Sequence, residues 1–539
     1  MRTMKMNTTF SKSRLLLVPV LVMLFAATVY ASAPGITGTT FNLTARDAFI
    51  SQPDGASVYS WGYGCSSAPS GFNPPATLMP GATCPTMQVP GPTLIVMEGQ
   101  TVTVNLTNNL PTSAGNTSIL FPGFTVTATG GVAGLLTQEA LPCPTPSACT
   151  TNTVSYTFIA SSPGTRAYYS GSQGDLQVEM GLYGAIIVVP TAVPTGCTAV
   201  GSIPAHYVAP GNSAEADYRL AASAYDNPRS CYDREYLFQF SEMDPGIHKN
   251  ALAQVTARTG CAATSPTCHL DVPTEPYHPA YFMINGRSMP DDMDPNYARE
   301  YPHQPYNGNP HMHPGEQVLL RIIGQGRWQH PFHEHGNHVR ILGRDGNLIL
   351  SSTTAGEVNL AGPLLFTTTT TPGLAMDGIF YWTGKGLNWD PYGHNPASSD
   401  LTAKLPCTPD ANGYNTAATT ALNYYEWCQD HNKPLEAAPF GDVAGGGPAT
   451  LPDPNILANG AWFGGSPYLG PNATGRAVGP TGTTPPSGTI ANSPTGEAGF
   501  AFMWHSHNER EITTNNIFPG GMLMMMLVDS REFQIDESN

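Results

Sequence analysis

Charge is scarce in this 539-residue chain, with Asp, Glu, Lys and Arg making up 12% of it. What charge there is leans acidic: 23 basic against 39 acidic side chains, a net −16. A surface of that sign repels phosphate backbones and excludes nucleic acid as a partner. Long apolar runs are also missing, apart from Leu15 to Tyr30. That run is too short for a convincing membrane span. It follows Arg2, Lys5, Lys12 and Arg14 and precedes Ala31-Ser32-Ala33, the layout of a secretory signal over residues 1–33. Loss of those four basic residues would take the mature chain to −20. The alternative, a retained anchor, conflicts with the small residues before Pro34. The expectation is a secreted protein, periplasmic or extracellular, with no membrane span after signal cleavage.

No CxxC pair occurs, and none of the ten cysteines lies beside a histidine motif, which argues against thiolate metal ligation. An even count in an exported chain reads as disulfides. Their clustering predicts sequential pairs: Cys65–Cys84, Cys143–Cys149, Cys197–Cys231, Cys261–Cys268 and Cys407–Cys428. Residues 34 to 205 contain no histidine at all, so any imidazole site must come from the rest of the chain.

Histidine is instead concentrated in two short runs, His330-Pro331-Phe332-His333-Glu334-His335-Gly336-Asn337-His338 and Trp504-His505-Ser506-His507. Residues two apart on a strand face the same way, so His333 with His335, and His505 with His507, each present two imidazoles to one side. Neutral imidazole is a common ligand of copper and zinc, and the two pairs together supply four nitrogens. The bland alternative is a relic cluster held by hydrogen bonds alone. It is disfavoured because two same-face pairs are costly to bury unliganded.

These residues resemble the multicopper oxidases, the laccase-like cupredoxin proteins. His330 to His338 is similar to the family's HPxHxHGH motif, and His505-Ser506-His507 with Gly521-Met522 to its terminal HCHxxxHxxxxM motif. Supporting matches are Pro90 to Leu94, Glu98 to Gln100, Gly181 to Gly184, Tyr281 to Gly286, and Pro314 to Glu316. The resemblance implies copper as cofactor, with small-molecule reductants or copper ions as partners. The departures matter as much. In the family a cysteine between the two terminal histidines binds the type 1 copper. Here Ser506 stands in its place, and Glu511 stands where the second type 1 histidine should fall. Of that set His330 survives, with Met522 after a longer spacer, and the type 1 site reads as lost. Ile119 to Gly123 replaces the family's HxHG, and Gly164 to Gly171, with Tyr168 and Tyr169, replaces its second HxH. Four of the eight imidazoles of the trinuclear cluster are therefore absent. Those left, His333, His335, His505 and His507, suit one metal better than three.

Short β-rich runs punctuated by Gly, Pro and Asn predict an all-β chain of tandem cupredoxin-like Greek-key β-sandwich domains with long Gly/Pro-rich loops. The expected division is a first domain over 34–190, a linker over 191–229, and a second domain over 230–539. The second carries a loop-rich insertion at about 384–498, which either covers one face or is mobile. Two-domain relatives form trimers with the metal site between subunits, so the resemblance allows a homotrimer. Tyr169 and Ile119 to Gly123 are then expected to face the cluster, within the chain or from a neighbouring subunit. His303, His311 and His313 offer a surface copper site but read better as a solvated loop. Met522, Met524, Met525 and Met526 resemble a soft copper(I) patch, but alternation on a terminal strand puts some of them in the core, and core packing is the better reading. Two functions follow: a slow oxidoreductase in which Glu334 or Glu511 relays protons, or a non-enzymatic protein for copper sequestration or cell-envelope assembly.

Overall fold

The structure is a computed structural model. It describes residues 33–192 apart from 78, 80, 144–148 and 150, single positions between 193 and 204, then 221–385, 408–416, 425–429, 465–469, 498–529 and 535. The predicted signal over 1–33, apart from Ala33, and most of 384–498 lie outside these.

Strand follows strand wherever apolar and polar residues alternate. β1 (Thr40–Ser51), β2 (Ser57–Cys65), β3 (Leu94–Met97), β4 (Thr101–Asn108), β5 (Thr153–Ile159), β6 (Gly164–Tyr169) and β7 (Tyr183–Val189) build a first pair of sheets. In one sheet the order is β2-β1-β4-β5, and in the other β6-β7-β3. β4 shows the logic: Val102, Val104 and Leu106 turn inward, while Thr103 and Thr107 face outward and meet Thr157 and Thr153 across the β4–β5 ladder.

β7 is buried on both faces, which its unbroken apolar sequence requires. Ile186 and Val188 enter the first core, whereas Ala185, Ile187 and Val189 pack with Leu237, Ile323 and Ala375 of the second pair of sheets. That pair comprises β8 (Arg234–Met243), β9 (Tyr281–Ile284), β10 (Gln317–Gly324), β11 (His330–Glu334), β12 (Val339–Arg344), β13 (Thr367–Thr370), β14 (Ala375–Tyr381), β15 (Ala498–Ser506) and β16 (Leu523–Asp529). One sheet runs β9-β8-β10-β14-β12 and the other β16-β15-β11-β13. Between them lies a core of Phe238, Phe332, Phe502, Trp504 and the alternating Met522, Met524 and Met526. The architecture is all-β and cupredoxin-like.

The two halves are also joined by polar contacts. Thr165 donates to Asp377 from both its amide (3.1 Å) and its hydroxyl (2.6 Å), and Tyr225 donates to the same carboxylate at 2.6 Å. Arg321 pairs with Glu235 at 2.6 Å in the same buried layer. Tyr225 belongs to the stretch expected as a linker, yet it is buried with Ala224 against Tyr232, Leu319 and Leu342. Four expected disulfides are present, Cys65–Cys84, Cys143–Cys149, Cys197–Cys231 and Cys261–Cys268. Cys428 is also disulfide-bonded; Cys407, its expected partner, lies outside the described residues. Of the insertion, Gly465–Leu469 pairs antiparallel with β15, and Trp427 packs on the second core.

Among the described residues a single helical turn stands at Gly174–Gln177, and the longest helix is Pro245–Ala257. Asp244 caps it by accepting from the Gly246 amide at 2.8 Å, and proline opens its first turn. It buries Ile247 and Ala251 against the first core. Among the described residues no helix is long and apolar enough to cross a membrane.

Candidate metal centre

β11 lies between β13 and β15, with Phe332 opposite Ser506, His333 opposite His505, and Glu334 opposite Trp504. Cross-strand partners share a face, and the pleat alternates faces. His333, His335, His505 and His507 therefore share one side, and His330, Phe332, Glu334, Trp504 and Ser506 the other. Gly336 ends the strand at φ +100°, close against the Phe502 ring, a backbone turn that favours glycine. The Trp504 indole donates to the His335 carbonyl at 2.9 Å, and the His507 amide donates to the Pro331 carbonyl at 2.8 Å. Both bonds tie the two motifs together at their ends.

On the near face the imidazoles converge. One nitrogen from each of His333, His335 and His505 lies within 4.8 Å of the others, all three being buried. His505 Nε2 and His335 Nε2 are 3.3 Å apart. The His507 ring, exposed at the mouth, stands 4.9 Å from that of His333 and 5.6 Å from that of His505. Outer contacts orient these rings. His505 Nδ1 lies 2.7 Å from the Ser506 carbonyl, and His333 Nδ1 lies 2.7 Å from Thr367 Oγ1. Burial pushes the His333 imidazole down to about 4, helped by His505 and His507. Burial lowers His505 as well. Neutral imidazoles with outer nitrogens already engaged are the form a transition metal binds. Two nitrogens on one metal at about 2 Å sit at most roughly 4 Å apart, so closure needs only small shifts.

The far face is different. His330, expected among the metal ligands, has Nε2 at 2.9 Å from Glu242 Oε2 and Nδ1 at 2.9 Å from Glu511 Oε2. Both its nitrogens are held by carboxylates, and the alternation of β11 turns it away from the cluster. It is not placed as a ligand of this centre. Burial alone would lower its pKa, but hydrogen bonds and charge from Glu242 and Glu511 outweigh that and raise it to about 9. The two expected proton relays also sit on this side. Glu334 Oε1 accepts from Thr368 Oγ1 at 2.8 Å, and burial raises its carboxyl to about 8. Glu511 Oε2 accepts from Ser506 Oγ at 2.5 Å, and its Oε1 accepts from Asn508 at 2.8 Å. Neither faces the histidines, because β11 and β15 stand between.

Other expectations are corrected. His311 and His313 are buried rather than in a solvated loop: His311 Nδ1 lies 2.6 Å from Asp529 Oδ2, and His313 Nδ1 lies 3.1 Å from the Asp529 carbonyl. The short strand His311–Met312 pairs with β16, which carries both inward. Ile119 and Phe121 join the first core, and the Tyr169 ring lies over Gly373. Within the chain these residues have gone to packing rather than to the cluster, because their side chains are apolar or aromatic. Sequence reading missed Glu242; nothing local marks it, since its partner His330 is distant in the chain.

A multicopper oxidase family model matches residues 82–192, and a second one, also described as multicopper oxidase, matches residues 273–376. Two segments of the chain, one in each pair of sheets, thus match multicopper oxidase models. Among solved structures it is similar to the blue copper oxidase from Nitrosomonas europaea, at 15% identity over 90% of this chain and 85% of that one, with a TM-score of 0.41. The multicopper oxidase mgLAC gives 15% identity over 91% and 85%, with a TM-score of 0.40. A copper nitrite reductase from Nitrosomonas europaea gives 18% over 64% and 85%, with a TM-score of 0.35. No curated protein matches the chain. The two multicopper oxidase matches imply copper as the cofactor. The donor chemistry on the near face, imidazole without carboxylate, suits copper and not a hard cation.

Proposed function

We propose that this protein binds one copper through His333, His335, His505 and His507 and acts as a slow oxidoreductase on small reductants. The observation that carries the reading is the convergence of three buried imidazoles with His507 at their mouth. Bound copper would supply one-electron redox chemistry. The protein's own part is to hold two of the four rings, His505 and His333, from behind with the Ser506 carbonyl and Thr367, and to leave His507 on the open side where a small donor reaches. Phe366, about half exposed and edge-on to His333 and His338, lines that approach with an apolar ring. Four disulfide pairs, together with the leader-like residues 1–33, support export to an oxidising compartment.

One observation favours a second reading, copper sequestration without turnover. Where relatives take in electrons, this chain has a Ser506–Glu511–His330 cluster joined by a hydrogen bond and an ion pair. The test is copper-loaded protein incubated with a phenolic donor. Slow turnover that disappears in His505→Ala/His507→Ala supports the oxidoreductase. Tightly held copper with no turnover supports sequestration, and absence of copper from the wild-type protein refutes both.

A further inference from the structure

Ser506 sits between two of the histidines, and its hydroxyl starts a continuous chain of buried contacts. Ser506 Oγ donates to Glu511 Oε2 at 2.5 Å, and the same oxygen is 2.9 Å from His330 Nδ1. His330 Nε2 is 2.9 Å from Glu242 Oε2. The other oxygen of Glu242 accepts from the amides of Arg327 (2.7 Å) and Trp328 (2.8 Å) and lies 3.2 Å from the Tyr277 hydroxyl. Tyr277 in turn reaches Glu179 of the first pair of sheets at 2.7 Å. Side chains of Ser506, Glu511, His330 and Glu242 are fully or almost fully buried, so each contact is made away from water.

From this geometry we infer that Glu242, His330 and Glu511 are positioning residues for the histidine centre, acting through Ser506 on a face of the sheet that no metal ligand occupies. The inference rests on the proposed copper site. The physical reason is leverage. Glu511 fixes Ser506, and Ser506 fixes both the direction of its own carbonyl, which holds His505 Nδ1, and the peptide that delivers His507. His330 is clamped at both nitrogens, so it acts as a rigid strut between Glu511 and the end of β8 rather than as a side chain free to swing. Charge complementarity is internal, with one imidazole between two carboxylates. Outer partners of this kind tune metal sites, and their loss typically costs 10- to 100-fold in affinity without removing a ligand.

The experiment compares wild type with Ser506→Ala and Ser506→Thr, full-length and disulfide-bonded. Ser506→Ala deletes the hydroxyl link to Glu511 together with the Asn508 amide's bond to the same oxygen (3.2 Å); Ser506→Thr restores both. Copper(II) affinity is measured by chelator competition and the site geometry by electron paramagnetic resonance. Imidazole nitrogen shifts of His505 are read by NMR in the metal-free protein. The expected result is a 10- to 100-fold weaker affinity in Ser506→Ala at unchanged stoichiometry, a changed copper spectrum, a shifted His505 Nδ1 resonance, and recovery of all three in Ser506→Thr. Wild-type affinity, spectrum and His505 resonance in folded Ser506→Ala would overturn the inference. If wild type binds no copper, the proposed site fails separately, and the metal-free His505 resonance alone still decides the positioning role.

Discussion

Replacing His330 with Gln removes the imidazolium that stands between Glu242 and Glu511 in a buried layer. The folded protein raises the His330 imidazole from 6.5 to about 9, which corresponds to roughly 3 kcal/mol of stability carried by the imidazolium form. His330 has no exposed surface, so solvent does not screen this contribution away. Its direction follows from the raised value. The fold favours the protonated ring, so the stabilisation is complete below about pH 6.5, declines as pH rises, and is lost above about 9. Glu334 contributes a decline of its own. Its carboxyl is held protonated up to about 8, so stability also falls as pH rises from 4.5 toward that value. The informative quantity is therefore the difference between wild type and His330→Gln, in which Glu334 cancels. Denaturant unfolding of both metal-free proteins at pH 6, 7, 8, 9 and 10 measures it. The expected difference is about 3 kcal/mol at pH 6, closing to near zero by pH 10. A difference that stays constant across this range would refute the assignment of a buried imidazolium between two carboxylates.

Four further outcomes are expected. Copper-loaded protein should be nearly colourless, because Ser506 offers no thiolate; an intense band at about 600 nm in absorption spectra would contradict this. Elemental analysis should find about one copper per chain, lost in His505→Ala/His507→Ala and kept in His311→Ala/His313→Ala, whose imidazoles bond to the β16 end instead. Glu334→Gln should flatten the fall in stability between pH 4.5 and 6.5 and leave only the His330 decline above that in the same unfolding assay, since the amide cannot ionise. Asp377→Ala should destabilise the chain by about 3 kcal/mol in denaturant unfolding, because it leaves Thr165 and Tyr225 of the buried layer between the sheets without their acceptor and Arg321 with Glu235 as its remaining carboxylate.

What could be read from the sequence was what depends on short spacing. Alternation in Thr101–Asn108 declares its own inward face, as does the Met522, Met524, Met526 repeat, which packs in the core. Cysteines only 6 to 34 residues apart in sequence paired with their neighbours. The histidine pairs announced two rings per side because the strand period is two. What could not be read depends on long-range partners. Nothing near Glu242 signals that it will meet His330, and nothing near His330 says that two carboxylates will take both its nitrogens. Glu334 looks like a relay group beside the histidines, yet one residue's shift along a strand puts it on the other face. The helix Pro245–Ala257 was signalled only by Asp244-Pro245, a cap and a first-turn proline that a β-rich context obscured. His311 and His313 lie among prolines and glycines that suggest a loop, and only pairing with the terminal strand buries them.

The most direct test of the copper site is X-ray absorption at the copper edge on protein loaded with one equivalent. The expected result is three to four imidazole nitrogens at about 2.0 Å and no sulfur, with the imidazole count falling in His335→Ala. A sulfur scatterer in the first shell, or a spectrum unchanged by His335→Ala, would contradict a copper held by His333, His335, His505 and His507.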